Sequence, residues 1–407
     1  MSLTKKYDAV IIGGGASGLM CAISAKQKNK NISVAVIEKN DRIGKKILST
    51  GNGRCNLTNK NICKEKYVGS FIKQAEYIFK KYDTDRIINL FEELGLLSYC
   101  DSEGRYYPVC RQASSVLDVL RFACDRLGVE IFCSENIRSI KKNNGVFSVK
   151  TDNSEYQSKK LVISNGSKAA PKLGGNSSGV DYLKNFGHQF SHFSPALCPI
   201  CVKSDLLKSL KGIRVTGKAI LINTNGKYIK SEIGEIQFTD KALSGICIFN
   251  LSLYSKKDYC ISLDLLHDYS NNELSELIYK NKSLFSNLEI ENIFTGVFQK
   301  RITQAILKIC NIKDFSRKCS SLTDKEINLI SKTVKDMRFI ITENSSFEQA
   351  QCAVGGLLGT EIDEKTMESK KVKGLYVCGE IIDICGECGG FNLHFAFASG
   401  HYVGENL

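Results

Sequence analysis

Apolar residues close to the N-terminus follow the pattern of a β-α-β unit. A nearly continuous apolar run over Tyr7–Ile12 predicts a buried strand, Leu19–Lys26 favours a helix, and a second apolar run covers Ile32–Ile37. Glycines and small residues fill the turn between the first strand and the helix. This order predicts a parallel α/β domain.

Further along the chain, the spacing of apolar positions changes twice. Three- and four-residue spacing predicts helices over 72–81, 85–94 and 114–127, with Gly95 and Gly128 as stop signals. Alternating patterns then predict strands over 130–133, 137–141, 146–151 and 155–158, with a hairpin turn at Asn144-Gly145, followed by a buried strand over 160–164. These strands indicate a small antiparallel meander beside the parallel sheet.

A different pattern occupies the middle of the chain. Short strands are predicted over 200–203, 214–223, 227–230 and 235–239, a mostly helical stretch over 271–336, and a returning strand over 338–342. The predicted division is a cofactor domain in two parts, 1–193 and 338–407, interrupted by a β-rich insertion over 194–265 and a helical segment over 266–337.

The turn after the first predicted strand carries a G-x-G-x-x-G fingerprint. Gly13 permits the tight turn, Gly15 lets backbone N–H groups approach a pyrophosphate, and Gly18 lets the helix lie close to the strand. The helix N-terminus faces the phosphates with positive dipole charge. Glu38 ends the second strand about 20 residues later, where a carboxylate binds both hydroxyls of an adenosine ribose. The sequence therefore predicts a bound dinucleotide, and the alternative is a tight strand-to-helix turn without a ligand.

The C-terminal region indicates which dinucleotide this is. An apolar strand over Leu375–Cys378 runs into Gly379-Glu380, and Gly389–Leu393 follows. This looks like the second FAD motif of two-dinucleotide-binding-domain flavoproteins, in which the acid holds the ribityl chain and a helix N-terminus points at the flavin ring. A helix start in that position stabilises anionic reduced flavin.

Composition and charge narrow the setting of the protein. The chain has 407 residues, 43% hydrophobic and 24% charged, and none of its apolar runs approaches the roughly 18 residues of a membrane span. The first residues lack the apolar core of a secretory signal, so we expect a cytoplasmic protein. The 17 cysteines have no repeating spacing and predict free thiols. The net charge of +13 comes from dispersed lysine pairs, and no motif of a nucleic-acid module is present.

Several ordered motifs carry a family likeness: Gly13–Gly18, Gly53–Asn56, Gly104–Pro108, Pro195–Leu197, Leu243–Gly245, Ala350-Gln351, Gly355-Gly356, Thr366–Ser369 and Gly389–Leu393. Together they resemble the BaiN/YhiN-type flavoproteins, also grouped as aminoacetone-oxidase-family FAD-binding enzymes, from end to end. The resemblance implies an α/β two-dinucleotide-binding-domain flavoprotein with a Rossmann-like FAD domain, an inserted β-barrel-like domain and a helical segment. It also implies an NAD(P)H-linked oxidoreductase. Reduction of unsaturated 3-oxo bile-acid intermediates is proposed for some members and oxidation of a small amine for others.

The chain departs from the family pattern near the flavin. It has Cys385–Gly390 where the family tends to have Asp-Gly-x-Thr-Gly-Gly, His394 after the Asn-Leu pair, and Asn165-Gly166-Ser167 in place of Thr-Gly-Gly. These changes leave FAD binding as expected but put a transferred substrate in doubt.

The fingerprint and the resemblance together imply a set of cofactor-binding residues. They are Gly13, Gly15, Ala16, Ser17, Gly18, Glu38, Lys39, Lys46, Gly53, Arg54, Cys55, Asn56, Gly166, Gly379, Glu380, Gly390, Phe391, Asn392 and Leu393. NAD(P)H is expected as a transient electron donor, because the loop over 173–179 lacks the strand and acid of a second complete fingerprint.

The flavin itself carries the hydride, so candidate catalytic residues only assist. Arg54 can stabilise reduced flavin or a developing oxyanion, or anchor its loop. Cys55 touches the ring or is a small buried thiol. His394 donates a proton, or is a surface or hydrogen-bonded structural histidine. Tyr106 or Tyr107 could donate instead, with an amphipathic packing role as the alternative.

Two C-x-x-C pairs are present, at Cys385/Cys388 and Cys198/Cys201. The first is a candidate redox partner of the flavin, because this spacing lowers a thiol pKa. Chance proximity among many cysteines is the alternative, and no metal site is predicted, since neither loop has the context of a zinc ribbon.

Three functions follow as hypotheses. The first is NAD(P)H-linked reduction of a conjugated C=C in a hydrophobic, steroid-like small molecule, without a nucleic-acid partner or membrane span. The second is an amine oxidase that passes electrons to oxygen, and the third is a non-catalytic flavin sensor or RNA-associated scaffold. The oligomeric state stays open.

Overall fold

The computed structural model describes residues 3–407. Its strands are β1 (Leu3–Ile12), β2 (Val34–Ile37), β3 (Thr58–Asn59), β4 (Tyr67–Val68), β5 (Ser98–Cys100), β6 (Arg105–Pro108), β7 (Glu130–Phe132), β8 (Ile137–Asn143), β9 (Val146–Thr151), β10 (Ser154–Ile163), β11 (Ser194–Ala196), β12 (Ile200–Lys203), β13 (Arg214–Ile222), β14 (Tyr228–Phe238), β15 (Ala242–Ser244), β16 (Cys260–Asp264), β17 (Met337–Asn344), β18 (Cys352–Val354), β19 (Leu375–Val377) and β20 (Cys385–Gly386).

The α-helices are α1 (Ala16–Lys28), α2 (Lys45–Ser49), α3 (Ile72–Lys81), α4 (Thr84–Glu93), α5 (Ala113–Leu127), α6 (Ser178–Asn185), α7 (Leu207–Leu210), α8 (Ile246–Ser252), α9 (Asn271–Leu284), α10 (Lys300–Ile309), α11 (Asp324–Lys335) and α12 (Phe391–Glu405). Within residues 3–407, no helix combines the length and the apolar character needed to cross a membrane.

The chain folds into two compact units. Unit 1 comprises the residues up to Ala196 together with Phe347–Leu407, and unit 2 comprises Leu197–Ser346. Unit 1 is therefore discontinuous, as the resemblance implied. Its interior and that of unit 2 are separate apolar clusters.

Unit 1 contains a seven-stranded sheet that begins with the predicted β-α-β unit. Strands β7, β2, β1 and β10 lie side by side in parallel, and β19 adds a parallel partner to β10. Residues Ala9–Ile12 of β1 and all of β2 are buried, as expected for central strands covered on both faces. Strands β9 and β8 continue the sheet as the predicted antiparallel meander.

One strand differs from its prediction. Two strands were predicted, over 155–158 and 160–164, yet β10 is continuous over Ser154–Ile163. On one side β1 pairs along nearly its whole length. On the other side the first half of β10 pairs with β9 and the second half with β19. A single long strand therefore joins the meander to the parallel sheet.

Helices α1 and α12 pack together at very short distance in unit 1. A Cβ atom added at Gly400 would lie 2.2 Å from the carbonyl oxygen of Ser17, and one at Gly404 would lie 2.5 Å from that of Cys21. Ser24 also donates a hydrogen bond to the His401 carbonyl at 2.8 Å. Glycines one helical turn apart thus let the C-terminal helix lie directly on the helix that follows the fingerprint.

Unit 2 is built on a closed six-stranded barrel in the order β12-β15-β14-β13-β16-β17. Side chains from α9, α10 and α11 share one apolar core with the barrel strands, so the predicted β-rich and helical segments form one body. Two further differences from the predictions appear here. Strand β14 is a single strand over Tyr228–Phe238, and residues 338–344, assigned from the sequence to the cofactor domain, form most of β17 and pair with β12 and β16.

The α1–α12 contact leads to a mutational prediction. Replacing glycine by alanine inside a helix ordinarily stabilises by about 1 kcal/mol. For Gly400→Ala we expect the opposite sign, with the free energy of unfolding lowered by about 1–3 kcal/mol, because the new methyl meets backbone. Denaturant unfolding measures the effect. Gly234→Ala is the control, since its Cβ would contact only the Cys247 side chain at 3.3 Å. A stabilised Gly400→Ala variant would contradict the close packing.

Candidate functional site

The fingerprint turn between β1 and α1 is closed on its protein side and open on the other. Gly13 has φ +107°, and a Cβ there would lie 2.8 Å from the Ser164 carbonyl oxygen. A Cβ at Gly18 would lie 1.9 Å from the Gly13 carbonyl oxygen. By contrast, apart from the residues next to it in the chain, no heavy atom of residues 3–407 lies within 4 Å of a Cβ added at Gly15. Two glycines therefore allow the backbone to fold tightly, while the third faces open space.

The start of α1 presents backbone N–H groups toward this space. Gly15 is the N-cap, and among the described residues neither a capping side chain nor an acid in the first turn neutralises the helix end. The N–H groups of residues such as Ala16 and Ser17 can therefore bind an anion together with the positive end of the helix dipole. This open, glycine-lined helix start fits the pyrophosphate of a dinucleotide.

Glu38 lies directly beside the turn. One carboxylate oxygen accepts a hydrogen bond from the Gly14 N–H at 2.8 Å. The other accepts two from Asn40, from the backbone N–H at 2.8 Å and the side-chain amide at 2.6 Å. A carboxylate can accept about four hydrogen bonds, so capacity remains for a ribose hydroxyl. The neighbouring Lys39 is exposed.

The second predicted motif lies against the first. Strand β19 pairs with β10, which pairs with β1, so the C-terminal ends of β1 and β19 point the same way. At the end of β19, a Cβ added to Gly379 would lie 2.4 Å from the Ser17 hydroxyl oxygen. The Gly379 N–H donates to the Ser399 hydroxyl at 3.1 Å. The two sequence-distant segments therefore meet, as a shared cofactor requires.

Glu380 is the centre of a polar cluster at this edge. Its carboxylate forms a 2.5 Å ion pair with Lys46 and accepts hydrogen bonds from the Ser167 hydroxyl at 2.8 Å and the Ala353 N–H at 3.2 Å. Desolvation is the largest single effect and acts to lower the pKa of Lys46. The charge of Glu380 and its hydrogen bond, together with the nearby thiols of Cys352 and Cys385, outweigh it, and the pKa is raised. The cluster therefore keeps a cation beside the carboxylate. A Cβ at Gly166 would lie 3.9 Å from Glu380 Oε2.

Sequence reasoning did not select Ser167 or Asn165 as site residues. Both lie in the loop after β10, and Asn165 contributes the Cα atom that a Cβ on Gly13 would meet at 2.8 Å. Its side-chain oxygen is buried and has no hydrogen-bond partner among the described residues. The available signal was the position of this loop, since ligands of open α/β sheets bind beyond the carboxyl ends of the strands.

A second group of predicted residues forms around the start of α12. Gly390, the N-cap, has φ +100°, and a Cβ there would lie 2.5 Å from the Thr58 carbonyl oxygen and 2.7 Å from Asn56 Oδ1. Asn56 is buried, and that oxygen has no partner within the described chain. The loop over Gly53–Asn56 and the helix start are thus in direct contact. The orphaned oxygen fits a ligand that donates a hydrogen bond.

The first turn of α12 is held from both sides. Asn392 accepts a hydrogen bond from the Gly386 N–H and donates one to its carbonyl, both at 2.8 Å. The Tyr67 hydroxyl donates to the carbonyl of the buried Phe391 at 2.8 Å, and Leu393 is half-buried. The part of the chain that the structure describes places no acid in this turn. The helix start is therefore fixed and electropositive.

Arg54, Cys55 and His394, the predicted catalytic side chains, are not equally accessible. Arg54 is exposed, lies 5.0 Å from the centre of the Tyr107 ring and donates to the Gly51 carbonyl at 3.2 Å. Cys55 is fully buried, and burial raises the pKa of its thiol to about 12, although a hydrogen bond with Thr50 acts the other way. Cys55 is therefore a neutral thiol at ordinary pH. This favours the role of a small buried thiol over contact with the flavin ring.

His394 lies in the core of unit 1. Its Nδ1 is 2.8 Å from the Thr58 hydroxyl, and its Nε2 has no hydrogen-bond partner among residues 3–407. Burial lowers the pKa of His394 to about 4. A neutral, enclosed imidazole that is hydrogen-bonded with Thr58 favours the structural alternative over proton donation.

The structure also bears on metal chemistry. Within the described residues, no group of three or more histidine, cysteine, aspartate or glutamate side chains is arranged to hold a metal ion.

Gly15 and Gly18, two of the three fingerprint glycines, should respond differently to substitution. In Gly15→Val, we expect loss of FAD with little change in the stability of the cofactor-free protein, because the new side chain enters open space. In Gly18→Ala, we expect lower stability as well, because the methyl meets the Gly13 carbonyl. Flavin content after gel filtration and thermal unfolding of the apoproteins separate the two effects. Retention of FAD by Gly15→Val would contradict this pyrophosphate site.

His394 should make the fold sensitive to acid. Because its pKa is about 4 when folded and about 6.5 when unfolded, the unfolded state binds more protons between those values. The free energy of unfolding should therefore fall as the pH falls through this window, by on the order of a few kcal/mol. Denaturant unfolding of His394→Gln at pH 5 and pH 7 should show a smaller fall. The exposed His192, replaced by glutamine, is the control. An unchanged pH dependence in His394→Gln would refute the assignment.

Comparison with known proteins agrees with this architecture. The model of the HI0933-like protein Rossmann domain family matches residues 7–406. The 3-dehydro-bile acid delta(4,6)-reductase of Clostridium scindens is 30% identical over 402 residues, which cover 97% of each chain. The ribosomal RNA dihydrouridine synthase of Escherichia coli is 27% identical over 408 residues, covering 99% of this chain and 98% of that protein.

A solved structure gives a likeness of fold alone. An E. coli quinol fumarate reductase FrdA chain aligns with a TM-score of 0.51 at 15% identity, covering 99% of this chain and 70% of that one. With the family matched over almost all of its length and the fingerprint turn and the β19 segment meeting in one domain, this chain belongs to the HI0933-like Rossmann family and is a flavoprotein oxidoreductase of the BaiN/YhiN type.

Proposed function

We propose that this protein uses NAD(P)H and bound FAD to reduce a C=C bond conjugated to a carbonyl group. The observation that carries the proposal is that the uncapped start of α1 lies beside the ends of β1 and β19, with the uncapped start of α12 in the same unit. The names of the two curated relatives describe reactions of this one class. A delta(4,6)-reductase acting on a 3-dehydro compound and a dihydrouridine synthase both saturate an alkene beside a carbonyl.

The protein's own residues have distinct tasks in this proposal. Backbone N–H groups at Gly15–Gly18 hold the pyrophosphate, and Glu38 holds the adenosine ribose. Bound FAD supplies hydride transfer at N5. The start of α12 stabilises negative charge on the ring, and the Lys46–Glu380 pair positions the ribityl side.

Arg54 is suited to act on the substrate. It belongs to the loop over Gly53–Asn56 that contacts the start of α12, and its exposed guanidinium packs on the Tyr107 ring. A positive group there would stabilise the oxyanion that develops on the carbonyl as the alkene receives hydride. NAD(P)H would bind transiently, since the chain has a single complete fingerprint.

The second candidate is the same reduction carried out on a uracil base of RNA. The observation that favours it is the net charge of +13, because a basic surface attracts a polyanion. The second full-length relative is named for rRNA. The expectation of no nucleic-acid partner, drawn from the absence of a recognised module, is the opposing prediction.

An anaerobic donor and acceptor screen tests these proposals. We expect NADH or NADPH to bleach the visible absorbance of the bound flavin, and an α,β-unsaturated 3-oxo steroid acid to restore it. If unmodified rRNA restores the flavin absorbance and its uridine gains two hydrogens, the substrate is RNA. In that case the reaction should weaken as the salt concentration rises. Gly15→Val, prepared in the same way, is the control for signal from free flavin.

Two results would overturn the reductase. If neither nicotinamide reduces the flavin of a protein that retains FAD, the electron donor is wrong. If a small amine bleaches the flavin and oxygen then yields peroxide, the amine oxidase is the better description.

A further inference from the structure

Two arginines and two tyrosines form a stacked row on the small sheet of β3, β6 and β5. The rings of Tyr107 in β6 and Tyr99 in β5 lie 6.0 Å apart between their centres, at an interplanar angle of 32°. The Cζ atom of Arg54 lies 5.0 Å from the centre of the Tyr107 ring, and that of Arg111 lies 5.2 Å from the centre of the Tyr99 ring. The order in the row is therefore Arg54, Tyr107, Tyr99, Arg111.

One end of this row is tied to the region expected to receive the flavin ring. Arg54 belongs to the loop whose Asn56 lies against Gly390 at the start of α12. The Tyr107 ring packs on the same loop, since a Cβ added at Gly51 would lie 3.2 Å from Tyr107 Cε1. Arg111 therefore stands at the end of the row that is remote from this loop.

The guanidinium groups at both ends are available to an anion. Arg54 and Arg111 are exposed, and within residues 3–407 neither forms an ion pair with a carboxylate. Arg105, on β6 as well, is by contrast paired with Asp101 and Glu103, each at 2.8 Å. A guanidinium that stacks on an aromatic face keeps its N–H edge for bidentate contact with a carboxylate or phosphate.

The backbone at Arg111 is held in an unfavourable conformation. Its φ is +55°, in the left-handed region that residues with a side chain rarely adopt. The Arg111 N–H donates to the Pro108 carbonyl at 2.8 Å, which closes a turn directly after β6. Strain of this kind persists at sites where it positions a functional group. Here the side chain it positions is the one that stacks on Tyr99.

Exposed apolar side chains lie beside the row. Leu97 is 67% exposed and Val109 is 59% exposed. The Val109 N–H donates to the Leu97 carbonyl at 3.0 Å, which continues the register in which Tyr99 faces Tyr107. Because side chains alternate along a strand, Leu97 and Val109 lie on the face that carries the two rings. An apolar surface bordered by two unpaired cations fits a hydrophobic anion better than a polyanion.

We propose that Arg111 is a specificity-determining residue that binds an anionic group of the substrate remote from its alkene. Leu97 and Val109 contact the apolar body of the substrate, and Arg54 faces the carbonyl beside the alkene. The substrate class is then a hydrophobic carboxylate with its enone at one end and its acid at the other. This inference rests on the proposed function, because that function supplies the enone and the role of Arg54.

Equilibrium dialysis of the oxidised holoenzyme tests the role of Arg111. The probes are 3-oxochol-4-enoic acid and its methyl ester, which lacks the charge. We expect the natural protein to bind the acid about tenfold more tightly than the ester. Arg111→Gln should lose this preference by weakening binding of the acid alone. Arg111→Lys should restore part of it, because lysine keeps the charge but not the planar fork. In turnover, the loss should appear in KM and not in kcat.

Two further variants separate recognition from folding. Arg111→Gly should lose the preference for the acid yet keep its flavin and its unfolding midpoint, because glycine adopts this φ without strain. Arg138→Gln is the control, since it removes an exposed arginine that is paired with Asp152 in the meander. It should keep the full preference.

Three results would overturn the inference. They are equal or absent binding of the acid and the ester by the natural protein, an unchanged preference in Arg111→Gln, and equal weakening of both probes in that variant. If Arg111→Gln weakens binding of rRNA but not of the acid, the guanidinium serves a phosphate backbone and the inference is wrong. Dialysis needs no electron donor, so a failure of NAD(P)H to reduce the flavin counts against the proposed function and leaves this result readable.

Discussion

The site depends above all on the close contact between α1 and α12. Gly400 and Gly404 leave room for the carbonyl oxygens of Ser17 and Cys21, and Gly379 leaves room for the Ser17 side chain. Any larger residue at these positions would push the C-terminal helix away from the fingerprint helix. Because α12 also carries Gly390 and Asn392 at its start, that contact sets the distance between the dinucleotide turn and the region expected to receive the flavin ring.

Electrostatics reinforce this geometry. Within residues 3–407, both helix starts lack a capping side chain and an acid in the first turn, so each keeps its positive end for a ligand. The acids nearby are already bound: Glu38 by Gly14 and Asn40, and Glu380 by Lys46 and Ser167. The site can therefore attract the anionic parts of a flavin dinucleotide without exposing unpaired carboxylates to them.

The same fold juxtaposes groups that are unrelated in sequence. Strand β18 follows the inserted unit and β20 precedes α12, yet the backbone hydrogen bonds of Leu357 bring their segments side by side. As a result the Ala353 N–H reaches the Glu380 carboxylate, which also binds Lys46.

The sequence by itself determined the local parts of this protein. The apolar runs of β1 and β2, the glycines at 13, 15 and 18, and the acid at Glu38 are close in sequence, so periodicity and spacing identify the turn, its helix and the class of ligand. Motifs resembling those of BaiN/YhiN-type flavoproteins further identified the ligand as FAD and predicted a discontinuous FAD domain. Tertiary structure alone decided the rest. Contacts between distant segments decide the continuity of β10, the membership of β17 in the barrel and the burial of His394 and Cys55. Such contacts leave no periodic signal along the chain, because the residues that meet are far apart in sequence and are brought together only when the chain packs.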